Sequence, residues 1–251
     1  MHYFFIEDQP LALGAEVKLS PEDHNHAYRV LRLKAGDKVA VADGRGTARL
    51  GTVTISEAQK VFICLDEQIP STESPVNITL FQSLAKGEKF DLIIRQAVEL
   101  GAGRIVPVLT SRSIPRYRRG QEEKKLLRWQ SIVRSAAAQC RRSVLPPVET
   151  ACGFEAVLPR ISGRTALVPW EGEATSPIVR ILQRPRPRDR AVFLFIGPEG
   201  GFTAAEIEAL QERGALTVHL GSRILRTETA AVAALTLIQA AWGDLSGERN
   251  V

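Results

Sequence analysis

Three runs of alternating apolar and polar residues lie early in the chain, Lys38 to Ala42, Thr47 to Ile55 and Lys60 to Leu65. A period of two puts one side of each run on a core and predicts strands. Asp43-Gly44-Arg45-Gly46 separates the first two, and glycine's tolerance of positive φ makes it a hairpin turn. Ahead of them, Val17-Lys-Leu-Ser leads into a short helix expected from Pro21 to Arg32, opened by Ser20. These elements predict a small, mostly antiparallel barrel over residues 1–72. The polar, proline-bounded Ile69 to Pro75 reads as a linker.

From residue 73 to 251 the rhythm changes to alternating strands and helices. Asn77 to Ser83 predicts a strand, and Gly87 to Leu100 a helix with Phe90, Ile93, Ile94 and Ala97 on one face, closed by Gly101. Arg104 to Leu109 is the next strand, and Gln121 to Arg142 a long helix with Leu126, Trp129, Val133, Ala136 and Cys140 along its seam. Thr165 to Pro169 and Val192 to Ile196 are continuous apolar runs, as in strands buried on both faces. Thr203-Ala-Ala-Glu206 is a capping box, and the helix it opens is stopped by Gly214. A short strand, Thr217 to Leu220, and an apolar helix from Thr229 to Trp242 follow. The alternation predicts an α/β domain with a mainly parallel sheet.

No stretch of about 18 apolar residues exists, so no membrane span is expected. Three scattered cysteines, Cys64, Cys140 and Cys152, give neither a disulfide framework nor a zinc motif, and the four histidines form no metal-binding spacing. A reducing, cytoplasmic setting and no metal are expected. The net charge of +5 permits an anionic partner. Its distribution says more: Arg112 to Arg142 holds ten basic residues against two acidic ones, leaving the rest slightly acidic. Such concentration is what a phosphate-binding footprint requires, although a solvated helix face gives the same pattern.

Two segments carry candidate chemistry. In Phe193 to Phe202 a buried strand runs straight into Gly197-Pro-Glu-Gly-Gly201, followed by a capped helix. Ligands gather at the carboxyl ends of parallel strands, and glycines admit a ligand to the backbone. The spacing fits neither a dinucleotide fingerprint nor a P-loop. In Leu220-Gly-Ser-Arg-Ile-Leu-Arg-Thr-Glu-Thr-Ala230 another strand end meets glycine, and Arg223, Arg226 and Glu228 lead into the last helix. The plain alternatives are a tight turn in the first case, and a cap by Thr227 or Thr229 with Glu228 on the helix dipole in the second.

In this order and spacing, Ile196-Gly-Pro-Glu-Gly-Gly-Phe202 and Leu220-Gly-Ser-Arg-Ile-Leu-Arg-Thr-Glu-Thr-Ala230 resemble the SPOUT methyltransferases, and within them the ribosomal RNA small subunit methyltransferase E family. The likeness extends over nearly the whole chain through His26 to Asp37, Leu84 to Lys89, Gln96 to Gly101, Ser111-Arg-Ser113 and Arg128-Trp-Gln130. It implies an α/β fold: a SPOUT-type domain with a deep trefoil knot over 73–251, preceded by a small PUA-like β-barrel over 1–72. It implies a homodimer that uses S-adenosyl-L-methionine to methylate N3 of one uridine in 16S ribosomal RNA, as free RNA or in the small ribosomal subunit. Two departures stand out. His2-Tyr3 replaces the arginine common before Phe-Phe, and Ala138 replaces a glutamate in the long helix.

Carried onto this chain, the resemblance places the cofactor against Leu167, Val168 and Pro169, against Ile196, Gly197, Pro198, Glu199, Gly200 and Gly201, and against Leu220, Gly221, Ile224 and Leu225. RNA is expected at Arg32, Lys86, Lys89, Arg112, Arg116, Arg118, Arg119 and Arg141. For catalysis, Arg226 is expected to stabilise the deprotonated uracil, Glu228 to orient it or accept the proton, and Arg134 to assist. The rival expectations are methylation of another RNA atom, such as a ribose 2′-hydroxyl, and a non-catalytic RNA-binding assembly factor.

Overall fold

The computed structural model describes residues 1–56, 60–113, 120 and 122–247. They fall into two compact units, residues 1–73 with 134–145, and residues 74–133 with 146–251.

The first unit is built on β1 (His2–Phe5), β2 (Glu16–Lys18), α1 (Pro21–Asn25), β3 (Lys38–Ala42), β4 (Ala48–Ile55) and β5 (Val61–Gln68). The strand order is β1-β3-β4-β5-β2, with β1 parallel to β3 and the other pairs antiparallel. Among the described residues the strands of the expected small, mostly antiparallel barrel pair as one five-stranded sheet. Among the described residues no ladder joins β1 to β2, which is only three residues long. Val39, Val41, Val53, Ile63 and Leu65 line its core, with Phe4, Val17, Ala27 and Leu33. The β3–β4 turn forms as expected: the Asp43 carboxylate accepts from the amides of Arg45 and Thr47, and Gly44 and Gly46 take positive φ.

The helix expected from Pro21 to Arg32 forms as one helical stretch to Val30 but changes character halfway. Ser20 caps α1 by accepting from the Asp23 amide, but the chain then widens into a π turn over His26–Val30 and ends at Arg32, with φ +52°. The wider turn keeps Ala27 and Leu33 in the core and leaves Val30 in solvent. The expected linker is also more than a spacer. Its Glu73 carboxylate accepts from Arg142 Nε and Nη2 at 3.1 and 2.6 Å and from the amides of Ser143 and Val144, and Arg142 is only 6% exposed. One member of the basic stretch is thus a buried structural cation.

The second unit contains β6 (Asn77–Ser83), α2 (Lys89–Glu99), β7 (Ala102–Leu109), the first turns of α3 (Glu122–Cys140), β8 (Cys152–Gly153), β9 (Thr165–Pro169), α4 (Ile178–Leu182), β10 (Ala191–Ile196), α5 (Ala204–Glu212), β11 (Leu216–Val218) and α6 (Thr227–Trp242). All its strands are parallel, in the order β11-β9-β10-β6-β7-β8. Their alternating sides fill two cores. On one face Phe81 stacks on Phe195 with centroids 4.4 Å apart, and these pack with Val106, Ala166 and Val168 beneath Ile207 and Leu210 of α5. On the other lie α2, burying Phe90, Ile93, Ile94 and Ala97 as its periodicity requires, and α6, which packs on α2 and β10. The capping box at Thr203 forms with both of its bonds, and Glu206 also accepts from the Ser111 amide at 2.8 Å. No described helix is long and apolar enough to cross a membrane.

Candidate functional site

Three neighbouring parallel strands, β11, β9 and β10, end on the same side of the sheet, where their loops enclose a cleft of about 760 Å³. Small-molecule sites are typically clefts of roughly 300–1,000 Å³. The turn after β10 supplies Ile196, Gly197, Pro198, Glu199, Gly200 and Gly201, and the loop after β11 supplies Leu220, Gly221, Arg223, Ile224, Leu225 and Arg226. The two glycine segments, separate in sequence, thus face one space. Pro169 joins them from the end of β9, while Leu167 and Val168 are fully buried in that strand and form its support.

The turn has little room for side chains. Gly201 has φ +67°, a conformation costly to other residues. A Cβ on Gly197 would stand 3.2 Å from Phe202 Cδ2 and 3.3 Å from the Phe202 amide nitrogen. Glu199 is tied down: its carboxylate accepts from the Lys86 amide at 3.2 Å and from Lys89 Nζ at 3.3 Å. Partial burial works against its charge, but its own amide, that of Lys86 and then Lys89 hold the carboxyl below its ordinary range. Arg112 donates to the Gly200 carbonyl at 2.8 Å, so it braces the turn from outside.

A buried relay fixes the floor. Thr227 donates to the Gly197 carbonyl at 2.7 Å and accepts from Gln82 Nε2 at 3.0 Å. Gln82, at the end of β6, is wholly buried. This corrects the expected cap: Arg226 is the N-cap of α6 and makes no side-chain cap bond, while the Thr227 hydroxyl crosses to the β10 turn. A glutamine following the apolar Leu80-Phe81 near the carboxyl end of a strand was the available sequence signal for this relay.

The loop after β9 is a second element that sequence reasoning missed. Trp170, Glu171 and Glu173 all line the cleft. Their position after a buried parallel strand was the signal, since ligands collect there. Glu173 accepts from the Thr175 amide and hydroxyl, both at 2.8 Å, the Thr217 hydroxyl at 2.9 Å and the Ser176 amide at 3.0 Å. The Thr175 amide first, then the two hydroxyls, pull its carboxyl from 4.5 to about 2. A depressed carboxyl stabilises the fold above its unfolded-state value and loses that contribution as pH falls through its folded value. The loop should therefore stay ordered at pH 4 and loosen only toward pH 2. The Thr175 amide proton, followed by NMR, should titrate with a midpoint near 2; a midpoint near 4.5 would refute the assignment.

The expected catalytic residues are not all assembled. Arg226 is exposed on the cleft wall. Glu228 is not part of the lining; its Oε2 is buried without a hydrogen-bond partner, and among the described residues no ion pair joins it to Arg226. Arg134 belongs to the first unit, where it donates to Glu7 Oε1 at 2.5 Å, the Phe5 carbonyl at 2.7 Å and Asp23 Oδ2 at 3.3 Å. Those bonds make it a brace of β1 and α1. Of the expected RNA contacts, Lys86 and Arg112 are exposed and Lys89 half-buried beside the cleft, while Arg32 and Arg141 are exposed in the first unit, both with positive φ. Arg116, Arg118 and Arg119 lie outside the described residues. Among the described residues no cluster suits a metal ion.

The cleft offers glycine backbone, apolar walls and, in Ile224, a large aliphatic side chain left 87% exposed at its lip. These features fit a small molecule with an apolar part.

Comparison with known proteins places these features in a lineage. Residues 72–239 match the model of the RNA methyltransferase domain, and residues 19–63 that of the RNA methyltransferase PUA domain. The chain is 31% identical over 249 residues to ribosomal RNA small subunit methyltransferase E of Bacillus subtilis, covering 95% of this chain and 96% of that one. It is 34% identical to the Synechocystis protein of the same name, over 96% and 78%. Its structure matches that of the Neisseria gonorrhoeae ribosomal RNA small subunit methyltransferase E bound to S-adenosyl methionine with a TM-score of 0.84, at 33% identity over 97% and 99% of the two chains. A Legionella pneumophila methyltransferase in complex with the same cofactor matches at 0.81, with 31% identity over 97% and 98%. With glycine turns that share a cleft and a match spanning both units, this chain belongs to the ribosomal RNA small subunit methyltransferase E family of RNA methyltransferases.

Proposed function

We propose that the protein transfers a methyl group from S-adenosyl-L-methionine to N3 of one uridine in 16S ribosomal RNA. The observation that carries this reading is the convergence of the Gly197–Gly201 and Leu220–Arg226 segments on one cleft, with Arg226 on its wall. The backbone of these segments and Pro169 would hold the cofactor, which supplies an electrophilic methyl group. Residues 1–72 act as the PUA-like RNA-binding domain and residues 73–251 as the methyltransferase domain, its C-terminal part threaded as a deep trefoil knot. The active form is a homodimer in the cytoplasm.

The uracil imide must lose its N3 proton to become nucleophilic. A carboxylate is a weak base for so weak an acid, so stabilisation of the anion is the larger need. Arg226, the N-cap of α6 on the cleft wall, would meet that need with its guanidinium, and Glu228, two residues on but outside the cleft lining, would have to turn toward the cleft to accept the proton. Lys86, Lys89 and Arg112 supply positive charge for the RNA backbone near the same turn.

The test is mass mapping of small-subunit RNA from cells lacking the protein, before and after restoring it. One uridine should lose and regain a base methyl group; a change in ribose methylation instead would move the reaction to the 2′-hydroxyl, and no change would remove the enzymatic reading. In direct binding, RNA affinity should fall steeply and log-linearly with salt, with several phosphates neutralised. A flat response would refute the basic surface.

A further inference from the structure

The cleft contains three carboxylates, and two are already engaged. Glu173 is bound by four donors within its own loop and β11, and Glu199 by Lys86 and Lys89. Glu171 differs. It is exposed on the cleft wall, and among the described residues it makes no hydrogen bond or ion pair. Its position is nevertheless defined. The Trp170 amide donates to the Val218 carbonyl at 3.0 Å, the Glu173 amide donates back to the Trp170 carbonyl at 3.2 Å, and the Trp170 ring covers Gly172. That short loop lays the Glu171 carboxylate on Gly201, so closely that a Cβ added there would come within 2.2 Å of Oε1. Among the described residues, a carboxylate with no ion-pair partner thus lies beside the glycine turn that faces the cleft.

A methyl donor of the sulfonium class carries a positive charge at sulfur, and its thioether product carries none; the rest of the two molecules is the same. We propose that Glu171 is a specificity residue that attracts the sulfonium charge, favouring the loaded donor over the spent thioether at the same cleft. This rests on the cofactor reading given under Proposed function. When the methyl group leaves, the charge that Glu171 attracts disappears, and the product is held less tightly than the donor.

The experiment is titration calorimetry of the full chain and its Glu171→Gln variant with S-adenosylmethionine and S-adenosylhomocysteine. An exposed charge pair contributes up to about a fivefold change in affinity. The variant should bind the sulfonium donor about fivefold more weakly and the thioether within about 1.5-fold of the wild type. Equal losses for both ligands, or no loss for the donor, overturn the proposal while leaving the cofactor reading intact. Wild-type protein that binds neither ligand overturns that reading and the proposal with it. A second measurement does not depend on the variant folding: the wild-type preference for donor over thioether should shrink as salt rises from 0.05 to about 0.5 M, because exposed charges are screened. A preference indifferent to salt overturns the proposal.

Discussion

Arg226→Ala is expected to lower single-turnover methyl transfer by roughly 10²–10³-fold, the usual loss when one preorganised donor to a developing anion is removed. Affinity for S-adenosylmethionine should stay within about threefold. The expectation follows from where the residue sits. As N-cap of α6, with φ −65° and ψ 153°, it stands just outside the helix while the next residue, Thr227, is locked to Gly197 and Gln82. The backbone under the guanidinium is therefore fixed by groups that the substitution leaves untouched. Arg226→Lys keeps the charge but loses the planar fork, and it should recover only part of the rate. Turnover within about threefold of wild type in Arg226→Ala would refute its role.

The largest expected effect on stability is in the first unit. Glu73→Ala removes the carboxylate that accepts from Arg142 Nε and Nη2, the arginine being 6% exposed, although Arg142 keeps a further interaction. It also removes the acceptor of the Ser143 and Val144 amides. Breaking one side of a buried pair costs about 3–5 kcal/mol, because the remaining charge stays desolvated. Denaturant unfolding should show that loss. The double variant Glu73→Leu with Arg142→Met removes both charges and should regain much of it; a double variant as unstable as the single one would mean the backbone bonds dominate.

The two effects illustrate what the sequence made legible. The place of Arg226 on the cleft wall was legible because a strand end, a glycine and an apolar helix follow in a fixed order, and such order is local. The same holds for the capping box at Thr203 and for the apolar faces of β9, β10 and α2. Glu73 could not be found, because its value lies in a partner about seventy residues away and its neighbours look like a spacer. In the α1 region the helix itself was legible, but its widening after Asn25 was not, because a π turn has no periodic signature. Arg134 and Arg142 counted as surface charge in a linear tally, yet each is bound to carboxylates in the first unit. Charge counting recovers composition but not solvation. At the cleft, glycines announced the two turns, whereas Trp170, Glu171 and Glu173 follow a strand with no motif at all and required the topology of the sheet.

The relay from Gln82 through Thr227 to Gly197 ties together positions separated by more than a hundred residues on one side and thirty on the other. Such closures are late events, since the entropy of bringing distant segments together is spent before the contact returns anything. A growing polypeptide would thus have no working pocket until α6 had seated, and capture of the methyl donor would report that closure.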